Sequence, residues 1–378
     1  MDNRQAGPGS GTRNRRGIGS TERAAGHRRA ITATTVMIAG VGLLAACGAV
    51  TGSSSGGGGS SSTGSLKGKT ITLIAPDKPG GSYDSYARLF APYLAKELGA
   101  TVNVENVAGA GTVEGTNQMA AAKPDGTTIG MAAVGGDIAS KVENQPGQSF
   151  DMAKLSWIGQ PAQVPNVMVT QPKGPVQNFS ALTHMTGTVQ VLDIRNGIGD
   201  MLNRVVLGAF HVPYHLNTGF ESTSALKQGF IAKDGQTMFE AMSTLHSLIK
   251  GHQAKPLLVT AESTLPSYQK AVKGVPTLQT ELSSASLSST NSAAVQEALQ
   301  LSNMADDFAA PPGTPASTLA ALRAAFTKAA NSPALQTQAT KENLPIAPTD
   351  GATLSGQVAT ALQQANAIAP FVNRKTGQ

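Results

Sequence analysis

Three glycine-containing loops are the parts of this sequence best suited to do chemistry. They span residues 79–82, 135–136 and 196–199, and each follows a short apolar or β-branched run that predicts a strand. Glycine lets the backbone approach a ligand closely, and N–H groups in a loop that leads into a helix favour negative charge. The three loops therefore predict an anion-binding site built from backbone groups.

Other chemistry is poorly supported by the residues. His211 and His215 stand four apart, but Pro213 between them argues against the helix that would bring both rings to one metal. The glycines of residues 109–115 are spaced one residue too widely for a dinucleotide fingerprint, and the sequence has neither a Walker A motif nor a G-x-S-x-G nucleophile motif. We expect no catalytic residue, no metal and no cofactor.

The elements that must position these loops follow an alternating pattern. A strand at 70–76 precedes the first glycine loop, and the spacing predicts a helix over 85–98. Strand and helix then alternate along the chain, with further strands predicted at 101–105, 127–132, 188–194 and 255–260, and further helices at 112–123, 200–207, 239–249 and 314–330. This alternation predicts an α/β protein with mainly parallel sheets flanked by helices.

The amino end accounts for most of the net charge of the 378-residue chain. Residues 1–46 hold seven arginines against two acidic residues, a net +5 of the total +6, and they end in a chargeless stretch directly before Cys47. This arrangement is typical of a secretion signal, and the stretch is shorter than the roughly 20 residues that span a bilayer. The remaining +1 is too small to favour a nucleic-acid partner.

Cys47 is the one cysteine of the chain, which excludes disulfides and cysteine-based metal sites. The Leu-Ala-Ala-Cys sequence at 44–47 resembles a lipobox, which implies that Cys47 carries the lipid of a lipoprotein. Fourteen of the eighteen residues at 48–65 are Gly or Ser, a composition typical of a flexible tether. We expect a signal peptide over 1–46 and a lipidated Cys with its tether over 47–65, so that the protein lies at the outer face of the cell membrane.

Several stretches together resemble one family, the extracytoplasmic solute-binding receptors of tripartite tricarboxylate transporters, also called Bug receptors. The stretches are 71–76 (ITLIAP), 79–84 (PGGSYD), 87–89 (ARL), 104–106 (VEN), 108–111 (AGAG) and 123–126 (KPDG), with weaker similarity at 164–167, 275–277 and 310–315. The resemblance implies a two-lobed, type II periplasmic-binding-protein fold with a ligand cleft between the lobes. We expect lobe 1 to comprise 66–168 and 303–378, and lobe 2 to comprise 169–302, with hinge connections near 163–169 and 303–310.

The resemblance also implies the function and the site. The expected ligand is a small organic acid, delivered by a monomeric protein to membrane permease subunits of a tripartite transporter. Arg195 is added from its own chemistry, since a guanidinium binds a carboxylate through two hydrogen bonds. The expected ligand-binding residues are Pro79, Gly80, Gly81, Ser82, Asp84, Val134, Gly135, Gly136, Asp137, Arg195, Asn196, Gly197, Ile198 and Gly199.

Some positions depart from the family pattern and leave alternatives open. Asp77 and Lys78 place charges at the expected pocket mouth, and Asp234 and Glu240 differ from the family's usual residues near the ligand. Citrate-like, dicarboxylate, aromatic-acid and amino-acid ligands all remain possible. A solute sensor that presents its ligand to a membrane kinase shares every feature above, and a carboxylate-processing enzyme on the same fold is a third interpretation.

Overall fold

The computed structural model describes residues 65–263 and 265–373. The predicted signal peptide, the lipid site at Cys47 and all but the last residue of the tether lie outside these ranges. None of the described helices is long and apolar enough to cross a membrane. The strands are β1 (Thr70–Ala75), β2 (Thr101–Asn106), β3 (Thr128–Ala132), β4 (Ser156–Gln160), β5 (Asn166–Thr170), β6 (Val189–Leu192), β7 (Tyr214–Asn217), β8 (Thr237–Ala241), β9 (Lys255–Val259), β10 (Asp307–Ala310) and β11 (Thr349–Asp350).

The helices lie against the faces of the sheets and between consecutive strands. Two short 3₁₀ helices at Met152–Lys154 and Ala365–Ile368 accompany them. The α-helices are α1 (Ser82–Leu98), α2 (Val113–Ala121), α3 (Val134–Val142), α4 (Phe179–Thr183), α5 (Ile198–Ala209), α6 (Thr223–Ala232), α7 (Met242–Lys250), α8 (Pro266–Ala271), α9 (Leu278–Ser284), α10 (Ser289–Ser302), α11 (Ala316–Ala330), α12 (Pro333–Glu342), α13 (Gly351–Gln364) and α14 (Ala369–Val372).

The strands form two sheets, as the alternating pattern predicted. One sheet has the order β11-β4-β10-β3-β1-β2 and the other has the order β7-β6-β8-β5-β9. The strands of the α/β repeats run parallel within each sheet, β1 with β2 and β3, and β6 with β7 and β8. The expected α/β class with two helix-flanked sheets is therefore confirmed.

Both sheets also contain reversed strands that the alternation did not predict. In the six-stranded sheet the edge strand β11 lies antiparallel to β4, and one further strand in each sheet is reversed. β10 lies antiparallel between β3 and β4, and β5 lies antiparallel between β8 and β9. Every residue of both strands is buried. A short strand that is covered on both faces shows no alternation of polar and apolar residues, so its sequence carries little strand signal.

The helix predicted over 239–249 is partly wrong. Its first three residues belong to β8, where Phe239 pairs with Met168 of β5, and the helix begins only at Met242. The apolar residues fit the spacing of a helix as well as that of a strand. Pairing with β5, about 70 positions earlier in the chain, makes this part a strand. Two other helices begin earlier than expected, α1 at Ser82 and α5 at Ile198.

An aromatic cluster anchors the core beside the six-stranded sheet. Phe90 of α1 stacks on Phe326 of α11 with ring centroids 5.2 Å apart, and Phe308 of β10 lies 5.2 Å from Phe90. All three rings are fully buried. The cluster holds α1 firmly on the sheet, which fixes the position of the glycine loop that precedes it.

The chain passes between the sheets twice, between β4 and β5 and again between β9 and β10. Gln160 donates from Nε2 to the carbonyl of Asn303 at 2.7 Å, and Asn166 donates from Nδ2 to the carbonyl of Ser302 at 3.2 Å, so the two crossings are tied to each other. The lobe boundaries at 168/169 and 302/303 remain a prediction.

Candidate functional site

A cavity of about 550 Å³ lies between the two sheets and is the candidate functional site. Its walls come from loops that follow the carboxyl ends of parallel strands in both sheets, which is where ligands bind in open α/β folds. The first lobe contributes residues 76–78, 82–83, 108–112, 133, 145–146, 164, 166 and 305–306, and the second lobe contributes 194–199, 220–223, 240–241 and 244.

The first glycine loop is held in place by Asp84. Its Oδ2 accepts the N–H of Gly80 at 3.0 Å, and its Oδ1 accepts from Arg88 Nε at 2.8 Å and from Asn106 Nδ2 at 2.9 Å. Burial acts to raise the pKa of Asp84, but the hydrogen bonds from Arg88, Gly80 and Asn106 outweigh it and lower the pKa below its ordinary value. Asp84 is thus an ionised brace behind the loop.

The second-lobe glycine loop has a matching brace. Asp200 Oδ2 accepts the N–H of Asn196 at 3.1 Å, and Asp200 Oδ1 accepts from Arg204 Nε at 2.7 Å. Asn196 has a φ of 64°, the left-handed region in which Asn is better tolerated than most residues. Gly80 in the first loop is likewise left-handed, with a φ of 94°.

The amino termini of α1 and α5, which follow the two glycine loops, lie at the cavity without a side-chain cap. α1 and α5 each begin after a glycine that offers no side-chain cap, Gly81 and Gly197. The first residues of both helices line the cavity. Uncapped N–H groups and the positive end of the helix dipole together favour an anion at these two points.

The structure brings together some of the expected ligand-binding residues and sets others behind the wall. Pro79, Gly80, Gly81 and Asp84 support the first loop without lining the cavity. A carbon on Gly81 would lie 2.0 Å from Asp77 Oδ2, so this position has no room for a side chain. The expected residues that line the cavity are Ser82, Arg195, Asn196, Gly197, Ile198 and Gly199.

The loop at 134–137 also lies behind the wall. Its four residues form the buried first turn of α3 and pack against the second lobe. A Cβ atom added to Gly135 would lie 2.2 Å from the carbonyl oxygen of Leu301, and a Cβ atom added to Gly136 would lie 2.9 Å from the carbonyl oxygen of Asn196. Asp137 accepts a hydrogen bond from Thr112 Oγ1 at 3.1 Å. Val134 and Asp137 thus help to position α3 and the residue-112 loop, and their role as ligand contacts stays a prediction.

Two cationic side chains line the cavity, Lys78 and Arg195, and both lie at its mouth. Lys78 Nζ of the first lobe lies 3.5 Å from Glu221 Oε2 of the second, and both side chains are largely exposed. Arg195 is exposed and lines both this cavity and a shallower depression beside β7. Lys78 is therefore engaged by a carboxylate from the opposite lobe, and Arg195 is accessible at the rim.

Sequence reasoning missed Asp306, which lines the cavity and is only 1% exposed. Burial raises its pKa to about 7; a hydrogen bond from Ser82 acts in the opposite direction, and the nearby charge of Asp77 adds to the increase. The one available signal was a pair of aspartates directly before an apolar run at 308–310. Glu240, noted only as a departure from the family, also lines the cavity.

The comparisons with known proteins find similarity to one family of receptors. The family model described as tripartite tricarboxylate transporter family receptor matches residues 86–190. Protein BugT of Bordetella pertussis is 34% identical over 125 residues, which span 32% of this chain and 37% of BugT, little more than a third of that relative. A second relative from the same organism, a member of the UPF0065 proteins, is 27% identical over 278 residues, 70% of this chain and 78% of that protein.

The fold has a counterpart among solved structures. MatC from Rhodopseudomonas palustris, solved with bound malate, superposes with a TM-score of 0.63 at 19% identity, covering 80% of this chain and 99% of MatC. At this identity the superposition supports the fold alone. The similarity to the receptor family rests on the sequence matches. By its motifs and by the family model matched over residues 86–190, the chain is similar to the tripartite tricarboxylate transporter receptors, the family that its sequence resembles.

Proposed function

We propose that this protein is an extracytoplasmic solute-binding receptor that captures a small organic acid and delivers it to the membrane permease of a tripartite transporter. The observation that carries the proposal is the interlobe cavity with the uncapped amino termini of α1 and α5 in its walls. Each helix is braced by its own carboxylate, Asp84 or Asp200, which keeps its N–H groups in place before the ligand arrives.

Recognition in this proposal relies on backbone donors. A ligand carboxylate accepts hydrogen bonds from the N–H groups at Ser82 and Tyr83, or from those at Ile198 and Gly199, and gains from the helix dipole. Because the donors belong to the main chain, they identify a carboxylate and not the remainder of the ligand. The bound malate of MatC is consistent with this ligand class. The protein then acts by binding and release, without chemistry of its own.

The proposed location is the outer face of the cell membrane, with a lipid on Cys47 as the anchor. Its support is the arginine-rich leader, the Leu-Ala-Ala-Cys sequence and the Gly/Ser tether. The test is mass spectrometry of the mature protein from a bacterial host with lipoprotein processing, beside a Cys47→Ser variant. We expect a diacylated amino-terminal cysteine and a variant released from the membrane fraction; an unmodified Cys47 would contradict the anchor.

Ligand binding is tested by thermal shift of the purified protein against organic acids, with each acid's uncharged amide as its control, such as malate beside malamide. A ligand present at 100 times its Kd stabilises the folded state by about 2.7 kcal/mol. We expect at least one acid to raise the melting temperature while its amide does not. If no carboxylate does so, the receptor function is contradicted.

Closure of the lobes is the expected response to the ligand. The crossings near 163–169 and 303–310 are short and tied together by Gln160 and Asn166, so rotation at these connections moves one sheet against the other. Small-angle X-ray scattering with and without a ligand found by thermal shift measures the change. A smaller radius of gyration with ligand supports closure, and identical profiles at saturation contradict it.

A further inference from the structure

The interior of the cavity is acidic, which is unusual for a site that receives a carboxylate. Besides Glu221 at the mouth, three carboxyl groups from separate parts of the chain line it, Asp77 after β1, Glu240 at the end of β8 and Asp306 before β10. The cations that line the same cavity are Lys78, which pairs with Glu221, and Arg195, which is exposed at the rim. The interior therefore has more carboxyl groups than cations among the residues that line it.

Asp306 is the most buried of the three residues. It is 99% buried, and its Oδ1 has no hydrogen-bond partner among the described residues. A buried carboxyl oxygen without a donor is destabilising, so such an atom calls for an explanation. A donor group on the ligand would provide one.

Asn196 supplies a second, independent observation from the opposite lobe. It lines the same cavity, it is 8% exposed, and its Oδ1 also lacks a hydrogen-bond partner among the described residues. This oxygen is neutral, so its lack of a partner does not arise from repulsion between carboxylates. Both lobes therefore present buried acceptors that have no donor.

Electrostatics indicates that the three carboxyl groups share one environment. Burial is the largest cause of the raised pKa of Glu240, which reaches about 7; Asp77 and Asp306 add to it, while the hydrogen bond from the Ala241 N–H and the charge of Lys227 act in the opposite direction. Burial likewise raises the pKa of Asp77. A positive group placed among them would restore their ordinary ionisation and gain from all three charges.

We propose that the ligand of this receptor carries a protonated amine in addition to its carboxylate, and that Asp306, Glu240 and Asp77 form the subsite for the ammonium group. This inference rests on the proposed function, because the carboxylate of the same ligand occupies the helix amino termini. An ammonium group has three donors and a compact charge, which suits several separate acceptors. A metal ion fits less well, since within 65–263 and 265–373 no three His, Cys, Asp or Glu residues are arranged to hold one.

Matched ligand pairs test the proposal by isothermal titration calorimetry at pH 7.5. The pairs are aspartate with succinate, glutamate with glutarate, and 4-aminobutyrate with butyrate, so each pair differs only by the amine. We expect the amino member of at least one pair to bind ten-fold or more tightly than its partner. Equal or tighter binding of the members without the amine overturns the ammonium subsite and leaves the receptor function standing. Binding of no carboxylate contradicts both.

The variant Asp306→Asn tests the contribution of the Asp306 carboxyl group to amine binding. Glu342→Gln, on an exposed part of α12, is the matched control. The amide keeps the shape of the side chain and removes a buried charge, so we expect the variant to fold. It should lose ten-fold or more in affinity for the amino ligand, with little change for the member without the amine. Unchanged preference for the amine in Asp306→Asn overturns the proposal, as does the same loss in the control.

The pH dependence of binding distinguishes the ammonium subsite from an alternative in which a buried acid is protonated and binds a ligand carboxylate. If protonated Asp306 instead donated a hydrogen bond to a ligand carboxylate, the members without the amine would bind well, and more tightly at pH 5.5 than at pH 7.5. The proposed ammonium subsite requires the reverse, because acidification neutralises the carboxyl groups while the amine stays charged. Tighter binding at the lower pH therefore contradicts it.

Discussion

Asp84 and Asp200 occupy equivalent positions in the two lobes. Each is the third residue of a helix that follows a strand, each accepts the N–H group four residues before it, and each pairs with the arginine four residues after it. The two loops that flank the cavity are thus built by the same local device. The two Asp–Arg ion pairs differ in exposure, because the Arg88 side chain is 54% exposed and the Arg204 side chain only 6%.

This difference predicts unequal effects of removing the arginines. Arg204→Met leaves Asp200 as an uncompensated buried charge, which is destabilising by about 3–5 kcal/mol. Arg88→Met removes a half-exposed partner, and exposed pairs contribute about 0–1 kcal/mol. Urea unfolding of both variants measures the two values. Equal losses would show that the loops are not braced in the way the burial indicates.

The close packing of α3 against the second lobe predicts that Gly135 does not accept a side chain. Gly135→Ala places a carbon 2.2 Å from the carbonyl oxygen of Leu301, and we expect a loss of about 1–3 kcal/mol from overpacking. Gly356→Ala is the control, because this exposed helix position has nothing within 4 Å of the new carbon. We expect that control to gain up to about 1 kcal/mol in thermal unfolding. A neutral Gly135→Ala would contradict the packing.

The buried acids predict that the free protein is more stable at mildly acidic pH. The raised pKa values of Asp137, Glu240 and Asp306, each about 7, have burial as their first cause. Carboxyl groups of unfolded chains titrate near 4. Because the folded state holds these protons to higher pH, the stability they contribute is present below about pH 4 and is lost as the pH rises through about 7.

The measurement is the melting temperature of the ligand-free protein between pH 5 and pH 8, which should fall across this interval. Each such proton contributes a slope of about 1.4 kcal/mol per pH unit between the two pKa values. Asp306→Asn should flatten the profile, and a flat profile in the unchanged protein would contradict the raised values. The groups that influence the titration of Asp306 or respond to it are Asp77, Ser82, Tyr83, Tyr86, Glu240, Tyr268 and Asp307.

The pair between Lys78 and Glu221 predicts a small electrostatic contribution to closure. It joins the two lobes at 3.5 Å, but both side chains are exposed, so we expect a coupling of about 0.2–1 kcal/mol. A double-mutant cycle of Lys78→Ala and Glu221→Ala on ligand affinity measures it at low salt. The coupling should disappear in 1 M salt, where charges are screened beyond about 3 Å. A coupling that persists there would indicate a contact of another kind.

Local patterns predicted a large part of the fold because they depend on neighbours in the chain. The apolar run of β1, the glycine turn after it and the helical spacing of α1 lie within about 30 residues, and each was placed within three residues of its observed bounds. The strand, glycine turn and helix around Asn196 followed from the same reasoning. Three of the six motif stretches that carry the family resemblance, 71–76, 79–84 and 87–89, lie in the first of these segments.

Only the tertiary structure decided which residues meet in the cavity. Asp77, Glu240 and Asp306 are separated by 66 residues or more in the chain, and they come together because three strand ends meet at the cleft between the sheets. The reversed strands β5 and β10 were hidden for a related reason, since their pairing partners are remote and both faces are covered. The sequence by itself determined the glycine loops, the helices that follow them and the resemblance to a receptor family. The folded chain determined that several buried carboxyl groups lie between those loops, because residues far apart in sequence interact only after the sheets have assembled.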